Sequence, residues 1–360
     1  MAGWQFSRGA GQTVAVIDTG VAQHPRLGGV RAGGDYVSDG DGTADCDAHG
    51  TLVAGIIAGR PAAGDAFAGV APAASILAIR QSSLAFEASD RRSDAQGNVT
   101  TMAYAVTRAV DLGATVVNIS QVACGPAGAD LGDASLGRAV RYAFERNVVV
   151  VAAAGNVDSG SACSAQNEAA PPVTTASPAR FSDYVLAVGA TEPTGRPAAF
   201  SLAGPWVAVA APGTDVTSLD PRSSGLVNGR ITRSGHGSID GTSFAAPYVA
   251  GLAAAVRARF PHLSAGEVMH RITSTARHPA GGWNPAVGFG VIDPVAALTT
   301  DTPIGELPAG IPDVRPRAGR VLEAMREPDR DERPAVVALT GCGVALGVVL
   351  GVRMAGSRRR

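Results

Sequence analysis

Six short apolar runs punctuate the first 210 positions of the chain: Thr13–Ile17, Ser75–Ile79, Ala114–Ile119, Val148–Ala153, Val185–Val188 and Trp206–Ala210. They are continuous rather than alternating, which predicts strands buried on both faces, as in a parallel sheet. Between and after them, His49–Ala58, Thr100–Leu112, Leu136–Glu145 and Phe244–Phe260 predict helices. Strand and helix alternating at this spacing predict an α/β fold with a mainly parallel sheet flanked by helices. Three segments without an apolar period read as surface loops: Gln81–Val99, Asp158–Arg180 and Leu219–Gly237. One globular domain over residues 1–298 accounts for all of this.

Beyond it the pattern changes. Residues 299–334 mix Pro, Arg, Asp and Glu and read as a linker. Ala335–Val352 then carries no charge over 18 residues, with Arg333 and Arg353 on either side. That length is at the lower edge of a membrane span. A buried core helix is the other reading. The place of the run, after a linker and before a tail (353–360) with Arg353 and Arg358–Arg360, predicts a transmembrane helix. The basic tail would lie in the cytoplasm and the globular part outside. Residues 1–12 show no basic stretch followed by the apolar core of a signal peptide.

Composition narrows the chemistry. The chain is 46% hydrophobic and 17% charged, with a formal net charge of -1. A balance this near neutral predicts no nucleic-acid partner. No lysine occurs, all 30 basic residues being arginine. That excludes P-loop phosphate binding, Schiff-base chemistry and a Ser-Lys hydrolase.

Three motifs then stand out. Asp18 lies in Val16-Ile17-Asp18-Thr19-Gly20, at the carboxyl end of the first strand, where open α/β sheets place their sites. His49 opens a helix in Asp47-Ala48-His49-Gly50-Thr51. Ser243 sits at the mouth of a long apolar helix in Gly241-Thr242-Ser243-Phe244-Ala245-Ala246-Pro247. Alone, each has an ordinary reading: a turn aspartate, a solvent-facing histidine, an N-cap serine. Together they are what nucleophilic catalysis needs. A serine hydroxyl is weak until a base takes its proton, histidine has the pKa for that work, and a carboxylate fixes its tautomer. The chain order Asp, His, Ser is that of subtilisin rather than of chymotrypsin or the α/β-hydrolases. Asn156, directly after the apolar strand ending in Ala153-Ala154-Gly155, can supply a side-chain donor to the oxyanion. A turn residue is its alternative reading.

These segments, in this order, resemble the four signatures of the subtilase family of serine proteases over residues 13–260. The resemblance implies a subtilisin-like three-layer fold and a catalytic triad of Asp18, His49 and Ser243. It implies that Ser120, Gln121 and Val122 form one wall of a cleft that pairs with a peptide substrate as an added strand. Ala153, Ala154 and Gly155 would form the other wall. Family members often carry Gly-Gly in the first wall, where Val122-Ala123 stands here. The run Asp45-Cys46-Asp47-Ala48-His49-Gly50-Thr51, the stretch Ile79-Arg80-Gln81-Ser82-Ser83, Asn118-Ile119-Ser120 ahead of Val122-Ala123-Cys124, and the terminal span are similar to mycosins. Those are membrane-anchored subtilases of actinobacterial type VII secretion. That likeness implies a membrane secretion complex as partner.

The four cysteines are Cys46, Cys124, Cys163 and Cys342. Cys124 and Cys163 each follow one of the walling strands, so their loops leave the same end of the sheet and are expected to form a disulfide. Cys342 lies inside the predicted span, so of the three cysteines expected outside, Cys46 is left over. Mycosins have a signal peptide and an N-terminal segment that can carry a Cys, so the expectation is an upstream true N-terminus whose cysteine pairs with Cys46. The alternative is a natural short form with a buried thiol. No CxxC spacing or acidic calcium loop occurs, and the C-x-x-H of Cys46-Asp47-Ala48-His49 ends in the histidine already assigned to the triad, so neither metal nor cofactor is expected. A single D-T-G triplet excludes an aspartic protease, and the absence of G-x-G-x-x-G after the first strand excludes a dinucleotide enzyme. A scaffold whose turnover is secondary remains the competing function.

Overall fold

The computed structural model describes residues 2–85, 97–232 and 235–301. Of the predicted linker only residues 299–301 are described, Thr299 closing the last helix; the rest of it, the span Ala335–Val352 and the tail lie outside the described residues. Among the described residues no helix is long and apolar enough to cross a membrane.

The chain order is β1 (Thr13–Asp18), β2 (Val30–Asp35), α1 (His49–Ala58), β3 (Ser75–Arg80), α2 (Val99–Asp111), β4 (Val116–Ile119), β5 (Ala123–Pro126), α3 (Ala134–Glu145), β6 (Val149–Ala153), β7 (Thr174–Ser177), β8 (Val185–Thr191) and β9 (Val207–Pro212). Short strands β10 (Ser218–Leu219), β11 (Leu226–Val227), β12 (Gly229–Thr232) and β13 (Gly235–Ser238) follow. The helices α4 (Thr242–Arg259), α5 (Ala265–Ser274) and α6 (Pro294–Thr299) complete the described fold. Seven strands form one parallel sheet in the order β2-β3-β1-β4-β6-β8-β9.

The continuous apolar runs have a direct cause. In β1, Val14 and Val16 face the layer that contains α1, α4, α5 and α6. Ala15 and Ile17 face α2 and α3. The same division holds in β3, where Ile76 and Ala78 oppose Leu77 and Ile79. Both faces are dry, so both residue parities must be apolar. α4 runs through the larger core and is buried almost all round, which explains a helix without a polar face. From β1 the order runs out through β3 to β2 on one side and through β4 to β9 on the other. The connections leaving β1 and β4 diverge, which opens a crevice at their carboxyl ends.

Two of the predicted loops contain strands. Thr174–Ser177, within 158–180, pairs antiparallel with β5, and the segment before it is held by Asn167. The Asn167 Oδ1 accepts from the backbone of Val173 at 2.8 Å and Thr174 at 2.9 Å. The hairpins β10-β11 and β12-β13 fill the segment 219–237 and overrun it by one residue at each end. These ribbons are two to four residues long, too short for an apolar period to show. Residues 86–96 of the first loop lie outside the described residues.

Candidate active site

Asp18 is the last residue of β1 and is fully buried. Its Oδ1 accepts from the Thr19 backbone at 2.8 Å and from His49 Nδ1 at 2.6 Å. That contact places the proton on Nδ1 and leaves Nε2 to act as a base. His49 is the first residue of α1, and a Cβ at Gly50 would stand 2.0 Å from the Gly20 carbonyl oxygen and 3.1 Å from Asp18 Cβ. Only glycine lets the helix close on the strand end. Burial is the largest influence on the imidazole and works against its charged form. The charge and hydrogen bond of Asp18, joined by the charges of Asp45 and Asp47, outweigh it and raise the pKa above the ordinary value.

The His49 ring lies 4.9 Å from that of Phe244, the residue after Ser243. Ser243 is the second residue of α4 and is 8% exposed. Among the described residues its hydroxyl makes no hydrogen bond to His49; such contacts tighten when substrate binds. Pro247, four residues on, has no N–H, so it cannot take the Ser243 carbonyl into the helix ladder. Ser120 fills the gap: its hydroxyl donates to the Ser243 carbonyl at 2.8 Å and accepts from Asn118 Nδ2 at 2.9 Å. The turn that carries Ser243 is thereby tied to the end of β4.

Asn156 is exposed, but its amide is oriented. Oδ1 accepts from the Thr242 backbone N–H and from Thr242 Oγ1, both at 2.9 Å. A backbone N–H can only donate, so the oxygen must face Thr242 and the Nδ2 donor must face away. A Cβ built on Gly241 would stand 2.8 Å from Ser243 Oγ and 3.4 Å from Asn156 Nδ2. Asn156 Nδ2 and Ser243 Oγ therefore flank one point, so a carbonyl whose carbon met the hydroxyl could turn its oxygen toward the amide.

The other nominated residues gather nearby. The Ser120 side chain is committed to α4, so this residue can meet a substrate through its backbone only. Gln121 and Val122 are half-buried between β4 and β5. Val122 and Cys124 pack against the cluster that contains Ala154 and Leu202. Ala153 and Ala154 are buried, and the Ala154 N–H is taken by the Val188 carbonyl at 3.0 Å. The Gly155 N–H is taken by Thr242 Oγ1 at 3.3 Å. That side can shape a pocket but offers fewer backbone groups for pairing. Cys124 and Cys163 are joined in a disulfide, with Cα atoms 5.1 Å apart. Asp45, Thr19, Thr51 and Thr242 hold the site together and were not singled out from the sequence. The legible signal for Asp45 was its place four residues before His49.

A model of the subtilase family, Peptidase S8, matches residues 9–290. Mycosin-4 of Mycobacterium tuberculosis is 50% identical over 365 residues, spanning 99% of this chain and 79% of that protein. Among solved structures, the MycP3 protease from the type VII (ESX-3) secretion system superposes with a TM-score of 0.78 at 46% identity, covering 83% of this chain and 85% of that one. A chain of an intact ESX-5 inner membrane complex matches with a TM-score of 0.78 at 41% identity, covering 99% and 87%.

Proposed function

The chain belongs to the subtilase family of serine proteases, and within it to the mycosins, and from that premise we propose that it cleaves polypeptides through Asp18, His49 and Ser243, anchored at a membrane beside a type VII secretion complex. The observation that carries the catalytic part is the 2.6 Å contact of His49 Nδ1 with the buried Asp18. It leaves Nε2 on a ring that packs against the residue next to Ser243. Nε2 takes the hydroxyl proton as Ser243 attacks the scissile carbonyl. Asp18 supports the imidazolium that results, and Asn156 Nδ2 donates to the oxyanion. The imidazolium then protonates the leaving amine, and water repeats the sequence on the acyl-enzyme. Ser120, Gln121 and Val122 are the wall proposed to pair with the substrate backbone.

The membrane part rests on the uncharged run Ala335–Val352 with arginines behind it. The likeness to a chain within an inner membrane complex favours a second reading, a structural subunit whose turnover is secondary. One experiment addresses both. Peptide hydrolysis by Ser243→Ala is expected to be undetectable, since losing the nucleophile in a subtilisin costs about 10⁶ in kcat. Normal turnover would refute the triad. Secretion that survives Ser243→Ala but fails in a full deletion would establish the structural role.

A further inference from the structure

Asp45 is outside the triad, yet its half-buried carboxylate is fully engaged. Oδ1 accepts from Thr19 Oγ1 at 2.8 Å. Oδ2 accepts from the Thr51 backbone N–H at 2.8 Å and from Thr51 Oγ1 at 2.6 Å. Each threonine passes the contact on. Thr19 Oγ1 accepts from the Gly50 N–H at 3.0 Å, and Thr51 Oγ1 accepts from the Ala22 N–H at 2.9 Å. Two segments converge on this one side chain: residues 19–22, which follow β1, and the first turn of α1. The helix needs the help. Its N-cap is Ala48, in a left-handed conformation with φ 69° and no side chain to cap with. The N–H of Thr51, third in the helix, would otherwise be an orphan. A carboxylate there complements the helix dipole, and the residue at that helix end is the histidine itself.

We propose that Asp45 is a positioning residue for His49: it clamps the histidine's turn to the strand end that carries Asp18, and its charge supports the imidazolium formed during catalysis. This rests on the triad reading above. The ionisable groups facing His49 are Asp18 on β1 and, on the preceding loop, Asp45 and Asp47. Asp47 is turned the other way, accepting from Ser83 Oγ and from the backbones of Leu84 at 2.9 Å and Ala85 at 3.1 Å. Asp45 is thus the carboxylate, besides Asp18, that grips the helix itself. Burial pushes the Asp45 carboxyl up to about 6, against the hydrogen bonds of Thr51 and Thr19 that favour its charged form. Its charge is therefore present above that pH and lost below it. The folded value lies above the ordinary carboxylate value, so keeping Asp45 ionised costs stability, and the cost grows as pH rises through this window. Removing the charge alone should not unfold the protein.

The test compares wild type with Asp45→Asn, Asp45→Glu and Ser243→Ala on one peptide substrate, with active enzyme counted by titration. The asparagine oxygen can keep both Thr51 contacts while its amide turns to Thr19, so this variant loses chiefly the charge. Its thermal midpoint at pH 8 is expected to be no lower than that of wild type, and its KM to match. Its kcat should fall about 3–10-fold, and the acid limb of kcat/KM should move down by roughly half a pH unit, because the imidazolium has lost a neighbouring anion. Asp45→Glu keeps the charge and should keep the wild-type limb. An unmoved limb in Asp45→Asn, with Ser243→Ala inactive, overturns the proposal and leaves Asp45 as a helix cap. Turnover persisting in Ser243→Ala overturns the triad reading, and this proposal with it.

Discussion

The orientation of Asn156 yields a prediction that separates an oxyanion donor from a residue that shapes the cleft. Its amide oxygen accepts from the Thr242 backbone and hydroxyl, both at 2.9 Å, and this turns Nδ2 toward the space beside Ser243 Oγ. Asn156→Ala removes the donor. The loss is felt only once the carbonyl becomes an oxyanion, so kcat should fall by ~10²–10³, about 3–4 kcal/mol, with KM unchanged. Thr242→Val acts one step back. It deletes one of the two contacts that aim the amide, while the Thr242 N–H still holds Oδ1. A neutral hydrogen bond contributes about 1 kcal/mol, so kcat should fall only about 3–10-fold. The same change strips the Gly155 N–H of its acceptor at 3.3 Å. Leaving that buried donor unpaired should lower stability by about 1–3 kcal/mol, visible as a lower thermal midpoint. Without Asn156 there is nothing left for Thr242 to aim. The double variant should therefore lose no more kcat than Asn156→Ala alone, giving a coupling energy near 1 kcal/mol in a double-mutant cycle. Steady-state kinetics on a chromogenic peptide, with the active fraction titrated, measure all four proteins. Strict additivity of the two losses, or a rise in KM with kcat intact for Asn156→Ala, would refute the reasoning.

With neutral His49 as the proposed base, kcat/KM should fall as pH drops through its raised pKa, with the midpoint above the ordinary imidazole value of 6.5; a pH–rate profile centred below 6.5 would contradict the charge environment derived above. The disulfide between Cys124 and Cys163 closes a loop with a sequence separation of 39. Its replacement by a Ser pair should cost ~4 kcal/mol in the chain-entropy account, read from denaturant unfolding, and an unchanged midpoint would show that it contributes nothing. A chain truncated before Pro334 should leave the membrane fraction for the soluble one, and retention of the shortened chain would refute anchoring by Ala335–Val352.

Much of this protein is legible along the chain because parallel strands buried on both faces write themselves as unbroken apolar runs. β1, β3, β4, β6, β8 and β9 are found that way within a few residues at each end. The motif order around Asp18, His49, Asn156 and Ser243 is equally local information. β2 was not legible, since Val30–Asp35 contains Gly33, Gly34 and the charged Arg31 and Asp35; it is a strand because it can pair with β3 at the sheet edge. α5 left a signal that went unread, Ser264 and Glu267 spaced as a capping box, and α6 left another in Asp293 followed by Pro294.

Tertiary structure decided what each motif residue does. Hydrogen-bond partners far apart in sequence are invisible to any periodicity: Thr242 fixes the amide of Asn156 from 86 positions away, and Ser120 reaches the Ser243 carbonyl across 123. The second of these contacts exists because Pro247 withholds an N–H, a local fact whose consequence needs the neighbouring strand to be present. Asp45 shows the same division. Its place before His49 can be read from the chain, but its grip on Thr19 and Thr51 depends on α1 closing over the end of β1. Residue identity supplies the functional groups. Their directions, and the low-dielectric surroundings that shift their charges, come only from packing distant segments together.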